Sequence, residues 1–502
     1  MARSREVSSQ RPSVLSAHTE RELKLSIGDD FHLPRLPGTL RPRRLLISTY
    51  YDTAAYDLAH ARMTLRQRIE RGKKTWQLKL PLGEDRQEVE VPDERADPPA
   101  SLRRLLVLHL RHRKLAPVVT LRVWRTGLQI RHGQVPLAEI ALDRVSVVQH
   151  GTTMQRFREL EIELQQGDDA LLHTLEQQMR DAGASDHDGR PKFFRALSLH
   201  PPPPVPPPDR TASVGAHIQW ALAQHVEWLL AHDPGTRLGT DLESLHQMRV
   251  AVRRVRAVLR TARPVLLPAW GASLDQELEW LGKVLGPARD LDVQLAYFRE
   301  ESTTLDARDR ARLEPLISHL QAHRNAAQQV VLNALTSTRY LALIRRLQQA
   351  AQAPAVIESP LTVRQLARHA FKKLRKALRR LRPSPSDAAL HAIRIKTKRA
   401  RYAAELAKRS GGQPATRFIT AARALQELLG THQDAIQAER QLRQFLQDSP
   451  SPRAGFVAGR MVERQHHRRQ TVRETMAPLV KTLLKRGKQV WGSTGSRHRH
   501  TY

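Results

Sequence analysis

The chain has 502 residues, no cysteine, 40% hydrophobic residues and a formal net charge of +33. Its length calls for two or three domains, and the missing thiols exclude disulfides, thiolate metal sites and cysteine nucleophiles. No apolar run approaches the roughly 18 residues of a membrane span, and Met1 to Ser16 lacks the apolar stretch of a secretory signal, so a cytoplasmic protein without membrane partners is expected.

The first half reads as strands. Glu20–Ile27, Arg44–Tyr51, Met63–Glu70, Thr75–Leu80, Arg86–Val91, Val118–Ile130, Ala138–Val148 and Arg158–Gln165 are extended, many alternating in polarity with period two. A helix is expected over Asp169–Ala182. Residues two apart on a strand share a side, so Glu20, Glu22 and Lys24 share one face. Glu159, Glu161 and Glu163 share another, as do Arg66 and Arg68, and Lys79 adds an amine. Single-sided carboxylates repel unless a hard cation or basic groups neutralise them. Carboxylate oxygens suit Mg²⁺ and Mn²⁺, whereas arginine and lysine suit phosphate oxygens. An antiparallel barrel with a charged lumen reconciles these faces with a folded core. A solvated sheet face is the plain alternative for any one motif, and their joint occurrence favours the lumen.

The run Pro201–Pro208, broken only by Val205, cannot continue a helix or a sheet and marks the domain boundary. Charge is uneven across it: 33 Lys and Arg stand against 26 Asp and Glu through residue 200, and 50 against 24 beyond. Such a basic body calls for a polyanion. The second half is helical in pattern and contains a duplication. Leu245-His246-Gln247-Met248-Arg249-Val250 returns as Leu390-His391-Ala392-Ile393-Arg394-Ile395. Leu285-Gly286 with Asp290 returns as Leu429-Gly430 with Asp434. His246, Arg249, Arg253 and Arg256 fall on one helical face, and His391, Arg394, Lys398 and Arg401 repeat the offsets. These two stripes are the candidate polyanion-binding residues. Each histidine is expected to donate to a bound phosphate.

Glu20-x-Glu22-x-Lys24 resembles the signature of the CYTH, or triphosphate tunnel metalloenzyme, superfamily. Behind it come, in the family's order, Tyr51-Asp52-Thr53, Leu65-Arg66-Gln67-Arg68, Arg86-Gln87-Glu88-Val89-Glu90 and Glu139-Ile140-Ala141-Leu142-Asp143. Glu159-x-Glu161-x-Glu163 and Pro191-Lys192-Phe193 follow, with Pro191 where the family has serine. The resemblance implies a metal-dependent triphosphatase in which a metal-activated water attacks a terminal phosphorus. Glu20, Glu22, Asp143, Glu161 and Glu163 would ligate one or two Mg²⁺ or Mn²⁺ ions. Lys24, Arg66, Arg68, Lys79, Arg125 and Lys192 would hold inorganic triphosphate, with Glu20, Glu22 and Lys24 as the catalytic set. Arg122 competes with Arg125 for its role, being nearby on the same strand.

The duplicated half resembles the CHAD domain, which implies two four-helix bundles around a basic channel for polyphosphate and an association with polyphosphate granules. Gln433 and Ile436 stand where the first copy has Arg289 and Asp292. The expected fold class is therefore multidomain α+β: an N-terminal antiparallel β-barrel tunnel over 15–200, a linker over 201–210, and tandem helical bundles over 211–490. The repeats span about 212–350 and 360–490, and 491–502 form a disordered tail. Two other readings keep the same residues: a tunnel acting on nucleotide or thiamine triphosphate, or cyclising ATP, and a polyphosphate-binding or targeting protein with little catalysis. Nucleic acid ranks last as a partner, because 5% aromatics leave few platforms for stacking single strands and no base-reading motif is present.

Overall fold

The computed structural model describes residues 16–82, 85–110, 113–149, 151–200, 203, 205–239, 242–448 and 452–492; within them, the side chains of 16–20, 82, 85, 86 and 448 are left undescribed. The chain divides into two compact units, residues 1–204 and 205–502. The expected tail from 493 onward lies outside the described residues, but Trp491, expected in that tail, closes the last helix and is buried.

The first unit runs β1 (Ser16–Ser26), β2 (Thr39–Asp52), α1 (Asp57–His60), β3 (Thr64–Glu70), β4 (Lys73–Leu82), β5 (Asp85–Pro92) and α2 (Ala100–Leu110). It continues with β6 (Ala116–His132), β7 (Val135–Gln149), β8 (Thr152–Leu164), α3 (Asp169–Asp181), β9 (Ser185–Asp186) and α4 (Lys192–Ala196). Every pairing is antiparallel, in the order β5-β4-β3-β2-β6-β7-β8-β1-β9, and β5 also pairs with β1. Eight strands thus close on themselves and β9 hangs on β1. Closure removes the unpaired edges of an open sheet.

Alternation divides each strand between lumen and exterior. On the outside, Leu25, Ile140, Leu160 and Ile162 pack with Leu175 and Met179 of α3. At one end of the lumen Phe193 and Phe194 of α4 pack among the inward-facing Leu46, Tyr50, Leu121, Val123, Val145 and Val147. Phe193 stacks on Tyr50 with ring centroids 5.0 Å apart. Burying each such phenyl ring contributes about 1.5–3 kcal/mol, enough to hold this short helix as a plug. Asp52, between Tyr51 and Thr53, does not line the cavity of the barrel. Its carboxylate accepts from the backbone N–H of Thr53, Leu58 and Ala59 at 2.7–3.0 Å, tying down the start of α1.

The second unit is helical: α5 (Val214–Leu238), α6 (Leu242–Ala262), α7 (Pro268–Thr303), α8 (Ala307–Thr336) and α9 (Thr338–Gln352) form the first copy. In the second, α10 (Val363–Arg379), α11 (Asp387–Leu406), α12 (Lys408–Asp448, broken at Gly412 with φ 60°) and α13 (Pro452–Trp491) follow. The first copy therefore adds α9 to its four-helix set. The far ends of the long helices share one core, in which Phe298, Leu313 and Leu316 meet Leu442, Val457 and Met461. The two copies are thereby one folded body.

Candidate functional site

A cavity inside the barrel is lined by Glu22, Lys24, Arg66, Arg68, Lys79, Arg125, Asp143, Glu161, Glu163 and Lys192. These residues, scattered over 170 positions of sequence, meet because each sits on the inward face of its strand or, for Lys192, at the start of the plug helix. The side chain of Glu20 lies outside the described residues. Arg122 is exposed on the outside of β6, so Arg125 is the inward arginine of that strand.

One wall is acidic. In the register of β1 and β8, Glu22 faces Glu163 and Lys24 faces Glu161; β7 continues the first row with Glu139. Arg44 takes up Glu139 at 2.6 Å. Lys24 lies 3.1 Å from Glu22 and also pairs with Glu161. Burial works against charge on Lys24, but Glu161 and Glu22 outweigh it and hold the ammonium above its ordinary range.

Deeper in the wall, Asp143, Glu159 and Glu161 bring ligand oxygens within 4.8 Å of one another, a spacing that could hold a metal ion. Lys192 fills that position: its Nζ lies 2.9 Å from Asp143, 2.5 Å from Glu159 and 2.7 Å from Glu161. Arg125 adds a two-pronged contact to Asp143 at 2.6 and 2.7 Å and reaches Glu161 at 2.5 Å. Burial alone would raise Glu161, yet Lys192, Lys24 and Arg125 hold its carboxyl well below the usual range. The trio is thus already neutralised by protein cations. Glu22 and Glu163, in register across β1 and β8 and lining the same cavity, are further hard oxygen donors that could hold the metal expected from sequence.

Sequence reasoning left two buried carboxylates without a role. Glu159 is fully buried and takes Lys192, Arg195 (2.9 Å) and, at 3.5 Å, His187. Glu88 of β5 lies 3.7 Å from Arg66 and 3.5 Å from Lys79. Both belonged to motifs with several glutamates, in which composition cannot say which member anchors a cation.

The opposite wall is basic. Arg66 donates to Gln77 at 2.7 Å and to Tyr50 at 3.1 Å. Arg68 is different: its Nε is buried and has no hydrogen-bond partner. Burial first, then Arg66 and Arg125, push its guanidinium down to about 10. A buried donor left unmatched costs on the order of 1–3 kcal/mol, which an anion in the lumen would recover.

In the helical unit the two stripes converge. Arg253 of α6 donates to Tyr402 of α11 at 2.9 Å. Lys398 is pushed down to about 7, by burial first and then by Arg394, Arg253, Arg249 and Arg401. Arg249 reaches Asp290 at 2.6 Å and the Gly286 carbonyl at 3.1 Å. Arg394 lies against Gly430 in the same way, so the duplication is conformational as well as sequential. His246 is lowered by burial, then by Arg289, and His391 contacts Gln433 at 2.8 Å. Two members of the stripes are committed elsewhere: Arg256 to Asp275 and Glu279 at 2.8 Å, and Arg401 to Glu405 at 2.7 Å.

A closed antiparallel barrel with a carboxylate wall facing a guanidinium wall, on a chain with a duplicated basic helical region, defines the class of tunnel proteins. The chain carries a CYTH domain, matched over residues 18–194, followed by a CHAD domain, matched over 221–443. The CYTH family includes triphosphatases and cyclases. Two uncharacterized proteins of Mycobacterium tuberculosis, MT2285 and Rv2226, are each 28% identical over 511 residues, spanning 93% of this chain and 97% of theirs. Among solved structures, PptA from Streptomyces chartreusis is similar over 54% of this chain and all of its own, with 20% identity and a TM-score of 0.47. The CHAD domain from Ricinus communis covers 56% of this chain and 97% of its own, with 29% identity and a TM-score of 0.45.

Proposed function

We propose that the barrel hydrolyses inorganic triphosphate with Mg²⁺ or Mn²⁺, and that the helical unit binds longer polyphosphate. The observation that carries the reading is the division of one lumen into opposed walls. Glu22 and Glu163 stand in register across β1 and β8 on one side, both lining the cavity, and Arg68 offers a buried, unmatched N–H on the other. A divalent cation at Glu22 and Glu163 supplies Lewis acidity and a water of lowered pKa. Arg66, Arg68 and Lys79 hold the phosphate oxygens, and Lys24 stands at the boundary of the walls. Arg125 and Lys192 keep fixed positions because Asp143 and Glu159 anchor them, so their charge is preorganised toward the transferring group. Asp143 acts here as an anchor for cations more than as a metal ligand. In the helical unit Arg249, Arg253, Arg394 and Lys398 gather cations from both copies around one locus, with His246 and His391 alongside. No helix of the described residues is long and apolar enough to cross a membrane.

Phosphate release from triphosphate, ATP, thiamine triphosphate and long-chain polyphosphate, with Mg²⁺, Mn²⁺ or chelator, tests the reading. Triphosphate is expected to be fastest and chelator to abolish release; equal turnover of ATP would overturn the substrate assignment.

A further inference from the structure

The converging stripes use only a fraction of the positive charge of the helical unit. A second concentration lies on α10 and the adjoining C-terminal part of α13. Residues 359–386 contain nine Lys and Arg and no Asp or Glu, and residues 475–492 contain four and none. The two helices pack antiparallel: a side chain at Gly487 would collide with the Phe371 ring, and Arg364 donates to the Val490 carbonyl at 3.4 Å.

Helical periodicity sorts α10 cleanly. Leu366, Phe371, Leu374 and Leu378 are buried, while Lys372, Lys373, Lys376, Arg379 and Arg380 are exposed. On α13, Lys481, Lys485 and Lys488 repeat at i, i+4 and i+7 and are exposed. Among the described residues none of these eight cations has a carboxylate within ion-pair distance. Like charges so crowded repel one another, at a cost that neither fold packing nor the stripes explain. The largest charge effects on Lys398 and His246 come from other residues, Arg394 and Arg289 first among them.

The chemistry of the face narrows its partner. An anionic membrane would engage exposed apolar side chains beside the cations; here the apolar side of α10 is turned inward. A single nucleic-acid strand would stack its bases on exposed aromatic rings, and this face has none. A lone polyphosphate chain is one phosphate wide and is best gripped from both sides, as the opposed stripes allow. A solvent-open face two helices wide, with packed axes about 8–10 Å apart and α10 about 25 Å long, matches instead a broad array of phosphates. We propose that the α10–α13 face docks on the phosphate backbone of double-stranded nucleic acid, without reading sequence. The argument against nucleic acid from scarce aromatics concerns single strands and base contacts, and backbone docking on a duplex needs neither.

The test uses the full chain and a fluorescent 25-base-pair DNA duplex of mixed sequence, titrated between 50 and 200 mM salt. Wild type is expected to bind with a steep salt dependence. Lys372→Gln/Lys376→Gln/Arg379→Gln should flatten the slope of log K against log salt by about three, each lost phosphate contact removing about 0.9. Long-chain polyphosphate binding and phosphate release should be unchanged, which also shows that the variant is folded. Lys481→Gln/Lys485→Gln/Lys488→Gln should give the same result independently. Duplex binding that survives both triple variants overturns the proposal. So does binding lost only on Arg394→Gln, which would assign the duplex to the stripes, or tight binding to phosphatidylserine vesicles with none to the duplex.

Discussion

Glu22 and Glu163 are direct partners across β1 and β8, two carboxylates held face to face inside a closed barrel. Like charges in register on neighbouring strands are destabilising by roughly 0.2–1 kcal/mol. Their neighbours in the wall are arranged otherwise: Lys24 stands opposite Glu161, and Lys192 sits among Asp143, Glu159 and Glu161. The protein therefore neutralises its deep carboxylates with its own lysines, and Lys24 is shared between Glu161 and Glu22 at the edge of the Glu22–Glu163 pair, the proposed seat of the cation.

Glu163→Gln should raise the melting temperature of the metal-free barrel by about 1–3 °C, since each kcal/mol is worth about 2–4 °C in a domain of this size. The same change should remove the stabilisation that Mn²⁺ gives the wild type and lower phosphate release by at least about 100-fold. Thermal melts with and without Mn²⁺ check this; a variant still stabilised by Mn²⁺ would place the ion elsewhere.

Arg68→Met removes a buried guanidinium with an unmatched N–H. Stability without ligand should hold or rise slightly, while affinity for triphosphate falls about tenfold or more, a charge-assisted contact being worth about 1.5–3 kcal/mol. Triphosphate binding by calorimetry, beside a melt of the free protein, separates these effects. Lost stability with unchanged affinity would mean that Arg68 is a structural residue.

Glu159 anchors Lys192 and Arg195. Glu159→Gln strips the charge from the pair and should destabilise the barrel by about 3–5 kcal/mol, the usual cost of leaving a buried cation uncompensated. Denaturant titration measures it. A change under about 1 kcal/mol would mean that Asp143 and Glu161 suffice to hold the lysine.

Lys398 gives the helical unit a pH dependence. Its pKa, pushed down to about 7, lies below that of an ordinary lysine, so the free site loses this ammonium as pH rises through 7. A bound polyanion favours the charged form. Affinity for long-chain polyphosphate should therefore be full below about pH 7 and decline above it, with proton uptake on binding at pH 8. Calorimetry in buffers of different ionisation enthalpy reads the uptake, and Lys398→Met should abolish it. Affinity independent of pH from 6 to 9 would contradict this account.

Much of the barrel is legible in the sequence, because period-two alternation carries both its strands and the inward sense of Glu22, Lys24, Arg66 and Arg68. Glu159 and Glu88 show where legibility stops. Each stands in a run of alternating glutamates with identical local signatures, and only closure of the sheet decides which of them meets a lysine. The helix Ala100–Leu110 and the two-residue strand at Ser185 also escaped notice, being short and bounded by weak signals. The paired stripes are legible one at a time. Their convergence is not, since periodicity fixes the face of a helix but not the neighbour it meets; Arg253 reaching Tyr402 is a fact of tertiary packing. Asp52 is the converse, a residue inside a recognisable motif whose carboxylate serves a helix start instead of the lumen.

The most direct test is anomalous diffraction from crystals grown with Mn²⁺ and a non-hydrolysable triphosphate analogue. The account predicts a manganese peak coordinated by Glu22 and Glu163, with the analogue's oxygens reaching Arg66 and Arg68. A peak displacing Lys192 from Asp143 and Glu159, or a lumen without manganese, would contradict it.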